Sequence, residues 1–222
     1  MSEVKMEVGQ KFPLTIKRLG INGEGVGFYK RNVVFVKGAL PGEEVTVKLT
    51  KVQNKFAEAE ILNIRRASED RIEPPCSVYA ECGGCQLQHM TYEAQLRNKR
   101  DIVMQALEKY LPEQADKLEV RPTIGMENPW NYRNKSSFQV RKEGKRVYAG
   151  LFAEGSHQLI NINNCLVQHP LTSKITVGVR KILQKLNIPI YDGKTLNGLV
   201  RTIVVRTGLQ TGETQVCLVT TR

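Results

Sequence analysis

The sequence predicts a mainly β fold with helices, an α+β chain of two domains, on three observations. Five short segments rich in Val, Ile, Phe and Thr, divided by glycine-bearing turns, predict a small OB-like barrel over residues 1–65. Cys76, Cys82 and Cys85 then crowd into ten positions and open a second, loop-rich domain over 66–222. From Val120 onward, strand-like patterns return, interrupted by one helical stretch.

The barrel strands are expected at Phe12–Leu19, Gly25–Lys30, Asn32–Gly38, Glu43–Gln53 and Ala57–Ile64, with "INGEG" and "ALPGE" as turns. Gly23, Gly25 and Gly27 spell GxGxG. A phosphate-cradling loop of that form needs a strand before it and a helix after it. Here "FYKRNVVFV" follows, so the glycines are read as a tight hairpin or bulge. Residues 65–75 form a polar connector stiffened by Pro74 and Pro75.

Past the cysteine segment, 74–90, Thr91 is placed to cap a helix over about 91–110. Tyr92, Leu96, Val103, Leu107 and Tyr110 line one of its faces. Strands and one helix are expected over 119–222. They comprise a meander turning at Glu143–Gly144 and Glu154–Ser156, a helix near 171–186 carrying Ile175, Val179, Ile182, Leu183 and Leu186, and two final strands in "LVRTIVVRTG" and "ETQVCLVTT".

Thirty-three Lys and Arg against 22 Asp and Glu leave a net charge of +11. With no amphipathic anchor or lipidation motif, this favours nucleic acid over a membrane surface. No secretory leader or spanning run is visible, which points to a reducing cytoplasm where stable disulfides are uncommon. Five cysteines, an odd number, weaken a disulfide framework further.

The spacing C-x5-C-x2-C followed by the remote Cys165 favours a [4Fe–4S] cluster. Zinc stays open, since His89 and His169 each lie four residues beyond a cysteine, and so do plain buried thiols. Cys217, in the apolar run "TQVCLVT", reads as a buried thiol in a strand. Candidate RNA contacts are Lys17, Arg18, Lys30 and Arg31 on the barrel, with Phe28 and Tyr29 as stacking surfaces. In the second domain they are Tyr132, Arg133, Lys135 and Arg141. For Trp130 and Tyr132, core packing competes with base stacking.

Together these stretches resemble the iron–sulfur, TRAM-containing RNA (uracil-5-)-methyltransferases that act on 23S ribosomal RNA. "TIKRLGINGEGVGFYKRNVVFVKGALPGEEV" is similar to the TRAM barrel and "CSVYAECGGCQLQHMTYEAQLRNKR" to the cluster segment. "WNYRNKSSFQV", "GSHQLININNCLVQHP" and "VRTIVVRTG…TGETQVCLV" are similar to the central domain. The resemblance implies that Cys76, Cys82, Cys85 and Cys165 ligate one [4Fe–4S] cluster of structural role. It implies ribosomal RNA as partner and methyl transfer from S-adenosylmethionine to C5 of a uridine.

The family's donor-binding, Rossmann-like domain and its cysteine nucleophile belong after the central domain and have no match here. The chain is therefore expected to be the N-terminal half, an RNA-binding monomer without a catalytic or S-adenosylmethionine site of its own. Leu96, Val103 and Leu107 would be left as an adhesive face where the catalytic domain packs. The alternative is a stand-alone, metal-stapled RNA-binding module.

Overall fold

The structure is a computed structural model that describes residues 6–221. The chain divides into two compact units that interleave in sequence. One holds the residues up to Pro74 together with Gln86–Gly125, the other Pro75–Cys85 together with the residues from Met126 on.

The first unit is built on a closed barrel of β1 (Lys11–Leu19), β2 (Gly25–Tyr29), β3 (Asn32–Val36), β4 (Glu44–Val52) and β5 (Phe56–Arg66). They close in the order β1-β2-β3-β5-β4, with β3 and β5 parallel and the other pairs antiparallel. Period-two alternation explains the closure: Phe12, Leu14, Ile16, Val34, Val36, Val45, Val47, Leu49, Ala57 and Ala59 all face inward and are buried. Each large aliphatic chain so buried contributes about 1.5–3 kcal/mol.

One break in the alternation matters for function. Ile16 pairs with Gly27 and Arg18 with Val26, so Lys17 is an extra residue in β1. That bulge turns both Lys17 and Arg18 outward before Leu19 returns to the core. The GxGxG glycines belong to this same region. A Cβ on Gly25 would stand 2.7 Å from the Ala39 carbonyl oxygen, and one on Gly27 2.8 Å from the Leu14 side chain. They permit close packing of the barrel, as the strand context predicts.

Helix α1 (Tyr92–Tyr110) follows. Thr91 stands at its N-cap position, but its hydroxyl makes no cap bond; it lies 3.3 Å from Asp70 Oδ1 instead. The inward side of α1 also departs from the apolar face expected. Ala94 is its buried residue, packed with Leu19, Leu40 and Met90. Beside it, Gln95 Nε2 donates to the Leu87 and Met90 carbonyls, both at 3.0 Å. Leu96 is covered by 123–125: Thr123 donates to its carbonyl, and a Cβ on Gly125 would meet its Cδ1 at 2.7 Å. Val103 and Tyr110 stay 48% and 71% exposed.

The second unit is a five-stranded antiparallel sheet in the order β10-β9-β6-β7-β8. Its strands are β6 (Lys135–Glu143), β7 (Arg146–Phe152), β8 (Leu159–Asn161), β9 (Val200–Thr207) and β10 (Thr214–Thr220). Helix α2 (Pro170–Lys185) covers one face, where Phe138, Val140, Ala149, Leu183, Ile203 and Val205 are buried. Leu183, Ile175 and Val179 pack as the periodicity predicts, whereas Ile182 and Leu186 point to solvent. Thr172, Ser173 and Thr176 take up the rest of the inward side. The opposite face of the sheet is left to Lys135, Ser137, Gln139 and Arg141, which alternate with the core residues of β6. No helix among the described residues is long and apolar enough to cross a membrane.

Candidate functional site

Four cysteines, Cys76, Cys82, Cys85 and Cys165, belong to the second unit. Residues 76–82 coil tightly: the Tyr79 amide donates to the Cys76 carbonyl at 3.0 Å, and the Cys82 amide to the Val78 carbonyl at 2.8 Å. Cys82 then bridges to Ala153, beyond the end of β7, and the Gly83 amide donates to the Phe152 carbonyl. The glycine pair is closely packed. A Cβ on Gly84 would stand 2.9 Å from Leu151 Cδ1 and 3.3 Å from the Cys82 sulfur; one on Gly83 would sit 3.1 Å from Phe152 O. Cys165 enters from the loop before α2, and both Cys82 and Cys165 pack against the core of the unit.

Burial pushes the Cys82 and Cys165 thiols up, and the neighbouring Cys85 and Cys76 sulfurs push them the same way. Backbone N–H groups oppose this: Gly84 donates to Cys82 Sγ at 3.4 Å, and Val167 and Gln168 donate to Cys165. The four sulfurs thus share one electrostatic neighbourhood, with three backbone dipoles aimed at two of them. Among the described residues, however, no three Cys, His, Asp or Glu side chains converge as ligands of a single metal ion. The two histidines have other settings. His89 is buried in the first unit, where desolvation and Arg71 hold its pKa low. His169 caps α2, its Nδ1 accepting from the Leu171 amide at 3.3 Å.

Cys217 overturns its expectation. It is exposed, because β10 is an edge strand whose residues from Gln215 on carry no cover on either face.

The predicted RNA-contact residues fall into separate settings. On the barrel, Lys17 and Arg18 project from the bulge, though Arg18 Nη1 donates to the Gln105 amide oxygen of α1. Lys30 and Arg31 form the tip of the β2–β3 hairpin with φ of 47° and 74°, a left-handed conformation unusual for two cationic residues. Phe28, 51% exposed, is available there as a stacking surface. Tyr29 is not, since its ring stacks on Phe12 at 3.8 Å with the Lys30 ammonium 5.3 Å from its centroid.

In the second unit, Tyr132 is 46% exposed, and exposed Arg133 is anchored through its backbone to Val167 and His169. Lys135 and Arg141 share one face of β6, six residues or about 20 Å apart. Arg141 lines a cavity of about 300 Å³ with Tyr191, Arg201 and Thr202, residues that the sequence did not single out. The alternation of Gln139 and Arg141 with Phe138 and Val140 was the signal available.

Residues 5–62 match the family described as the TRAM domain, so the barrel is a TRAM domain. Across nearly its whole length, the chain is also similar to proteins described as uncharacterized RNA methyltransferases. One from Bacillus anthracis is 59% identical over 220 residues, and one from Listeria monocytogenes serotype 4b 56% identical over 221; each match covers 99% of this chain and 48% of the relative. The chain spans about half the length of these relatives. A solved structure of similar fold is the Pyrococcus abyssi tRNA (uracil-54, C5)-methyltransferase in complex with S-adenosyl-L-homocysteine. It matches at a TM-score of 0.65 and 24% identity, over 94% of this chain and 46% of that one.

Proposed function

We propose that this chain is the RNA-recognition part of an S-adenosylmethionine-dependent RNA (uracil-5-)-methyltransferase acting on ribosomal RNA in the cytoplasm. The observation that carries the reading is the TRAM barrel joined to a second unit in one chain that matches RNA methyltransferases over 99% of its length. The net charge of +11 and the outward cations of the barrel support RNA as the partner.

Cys76, Cys82, Cys85 and Cys165 are the residues that would hold a [4Fe–4S] cluster. Their donor set suits it in kind: four thiols lie within one unit, and N–H groups at Cys82 and Cys165 partly offset the burial that raises both thiols. A cluster spreads its ligand sulfurs around a body larger than one ion, so it does not demand the convergence that a single zinc does. Such a cluster would tie 76–85 to Cys165 across a loop-rich stretch, a structural role. Methyl transfer and donor binding belong, on this reading, to the part of the enzyme that the chain does not span.

Iron, acid-labile sulfide and zinc measured on anaerobically purified protein test the assignment. About four irons and four sulfides per chain, lost in Cys165→Ser, are expected. One zinc without sulfide would replace the cluster by a zinc site and favour the stand-alone RNA-binding module.

A further inference from the structure

We infer that the uncovered face of the second unit's sheet carries a pocket for one unstacked nucleotide of single-stranded RNA, an inference that rests on the RNA-binding reading above. The pocket is made by a fault in the sheet. Val219 pairs with Thr202 but Thr220 with Val200, so Arg201 is an extra residue in β9. The bulge lets Arg201 and Thr202, neighbours in sequence, line the same cavity, and Gln139, directly opposite Thr202 on β6, completes its floor.

Two cation–aromatic pairs form the walls. The Arg201 guanidinium lies 4.1 Å from the centre of the Tyr191 ring, and that of Arg141 5.4 Å from the centre of Phe152. Tyr191 is held in place through its backbone, its amide donating to the Val200 carbonyl at 2.9 Å. Neither arginine is ion-paired with a described carboxylate, and no acidic side chain among the described residues lines the cavity.

Each feature fits a nucleotide. At about 300 Å³ the cavity is at the small end of ligand sites, the size of one nucleotide rather than several. Guanidinium groups held against aromatic rings offer N–H groups to phosphate and flat surfaces to a base; Arg201 supplies its full edge, whereas Arg141 commits one Nη1 bond to the Val140 carbonyl at 2.9 Å and offers the remainder. On the floor, Thr202 Oγ1 lies 3.4 Å from Gln139 Oε1; this bond turns the Gln139 NH₂ toward the role of donor to a base carbonyl. Anion attraction, stacking and an edge donor in one cavity are the elements by which single-stranded RNA is held.

Fluorescence anisotropy with a labelled single-stranded RNA oligonucleotide tests this, using the 222-residue chain and its Arg201→Gln, Arg141→Gln and Tyr191→Leu variants. Far-UV circular dichroism and Trp130 emission check folding. The expected result is about tenfold weaker binding for Arg201→Gln and for Tyr191→Leu, with duplex RNA bound equally by all. Uridine monophosphate should compete weakly and inorganic phosphate more weakly still.

Four results would overturn it. If the variants bind the oligonucleotide like the parent while Lys30→Ala/Arg31→Ala weakens it, the pocket falls and RNA binding stands. Phosphate competing as well as the mononucleotide would reduce the cavity to an anion site. A mononucleotide that binds as tightly as the oligonucleotide would make it a free-nucleotide site. Failure of the parent chain to bind any RNA would remove both readings.

Discussion

Removing Arg71 should cost the first unit about 3 kcal/mol, and the cost should depend on pH. Glu43 is fully buried and its carboxylate takes four hydrogen bonds: from Arg71 Nε at 2.5 Å, Arg71 Nη2 at 2.8 Å, the Leu40 amide at 2.8 Å and the Ser68 amide at 3.3 Å. Arg71 also donates to the Gly38 carbonyl at 2.7 Å, which ties the connector to the barrel. Burial pushes the Glu43 carboxyl up, but the Arg71, Leu40 and Ser68 bonds outweigh it and hold the group below its ordinary value of 4.5.

A buried pair broken from one side typically costs about 3–5 kcal/mol. Arg71→Ala leaves Glu43 with two backbone donors, which places the expected loss near the lower limit. In urea, followed by far-UV circular dichroism, the midpoint of the first unit should fall by about 1–3 M. Emission from Trp130, the single tryptophan and a residue of the second unit, serves as the control.

The sign with pH follows from the direction of the shift. In the parent chain, the carboxylate's contribution is full above 4.5 and is lost as pH falls through the lowered value. In Arg71→Ala, burial is no longer outweighed by the guanidinium, so the carboxyl rises and protonates earlier. The penalty should therefore be largest near pH 7 and shrink below pH 4.5. A penalty under about 1 kcal/mol at neutral pH, or one equal at pH 3.5 and 7, would refute the reasoning.

Gly150→Ala should disrupt β7–β8 pairing, because a Cβ there would overlap the Ile160 carbonyl oxygen; loss of amide protection at Ile162 and of soluble yield would show it. Gly84→Ala should destabilise the cysteine loop by about 1–3 kcal/mol and lower iron content, both measurable on anaerobic samples. Cys217→Ser should change stability by less than about 0.5 kcal/mol and leave iron content intact, while removing the thiol that reacts first with iodoacetamide in the native chain. RNA affinity should fall steeply with salt, on a log–log slope of about −0.7 per phosphate contact for a single strand; a flat response between about 50 and 200 mM would remove the cationic surface as its cause.

The barrel was legible because its signal is local. Val45, Val47 and Leu49 alternate with Thr46 and Lys48 in plain period two, and the turns carry glycine. Helix α1 was legible in position but not in orientation. Its Leu and Val residues suggested a face, yet the inward side uses Ala94 with the amides of Gln95 and Asn98, because carbonyls there needed donors. Cys217 failed for a related reason: an apolar run marks a strand, but whether that strand is central or an edge depends on what lies beside it.

By itself, the sequence determined the β-barrel, the two helices and the basic surplus, since each follows from periodicity or composition along the chain. Only the tertiary structure decided that 75–85 joins the residues from 126 on in one unit, that Glu43 is buried against Arg71, and that a bulge at Arg201 opens a cationic, aromatic-walled cavity. These depend on contacts between residues dozens of positions apart, where one extra residue in a strand reverses which side chains share a face.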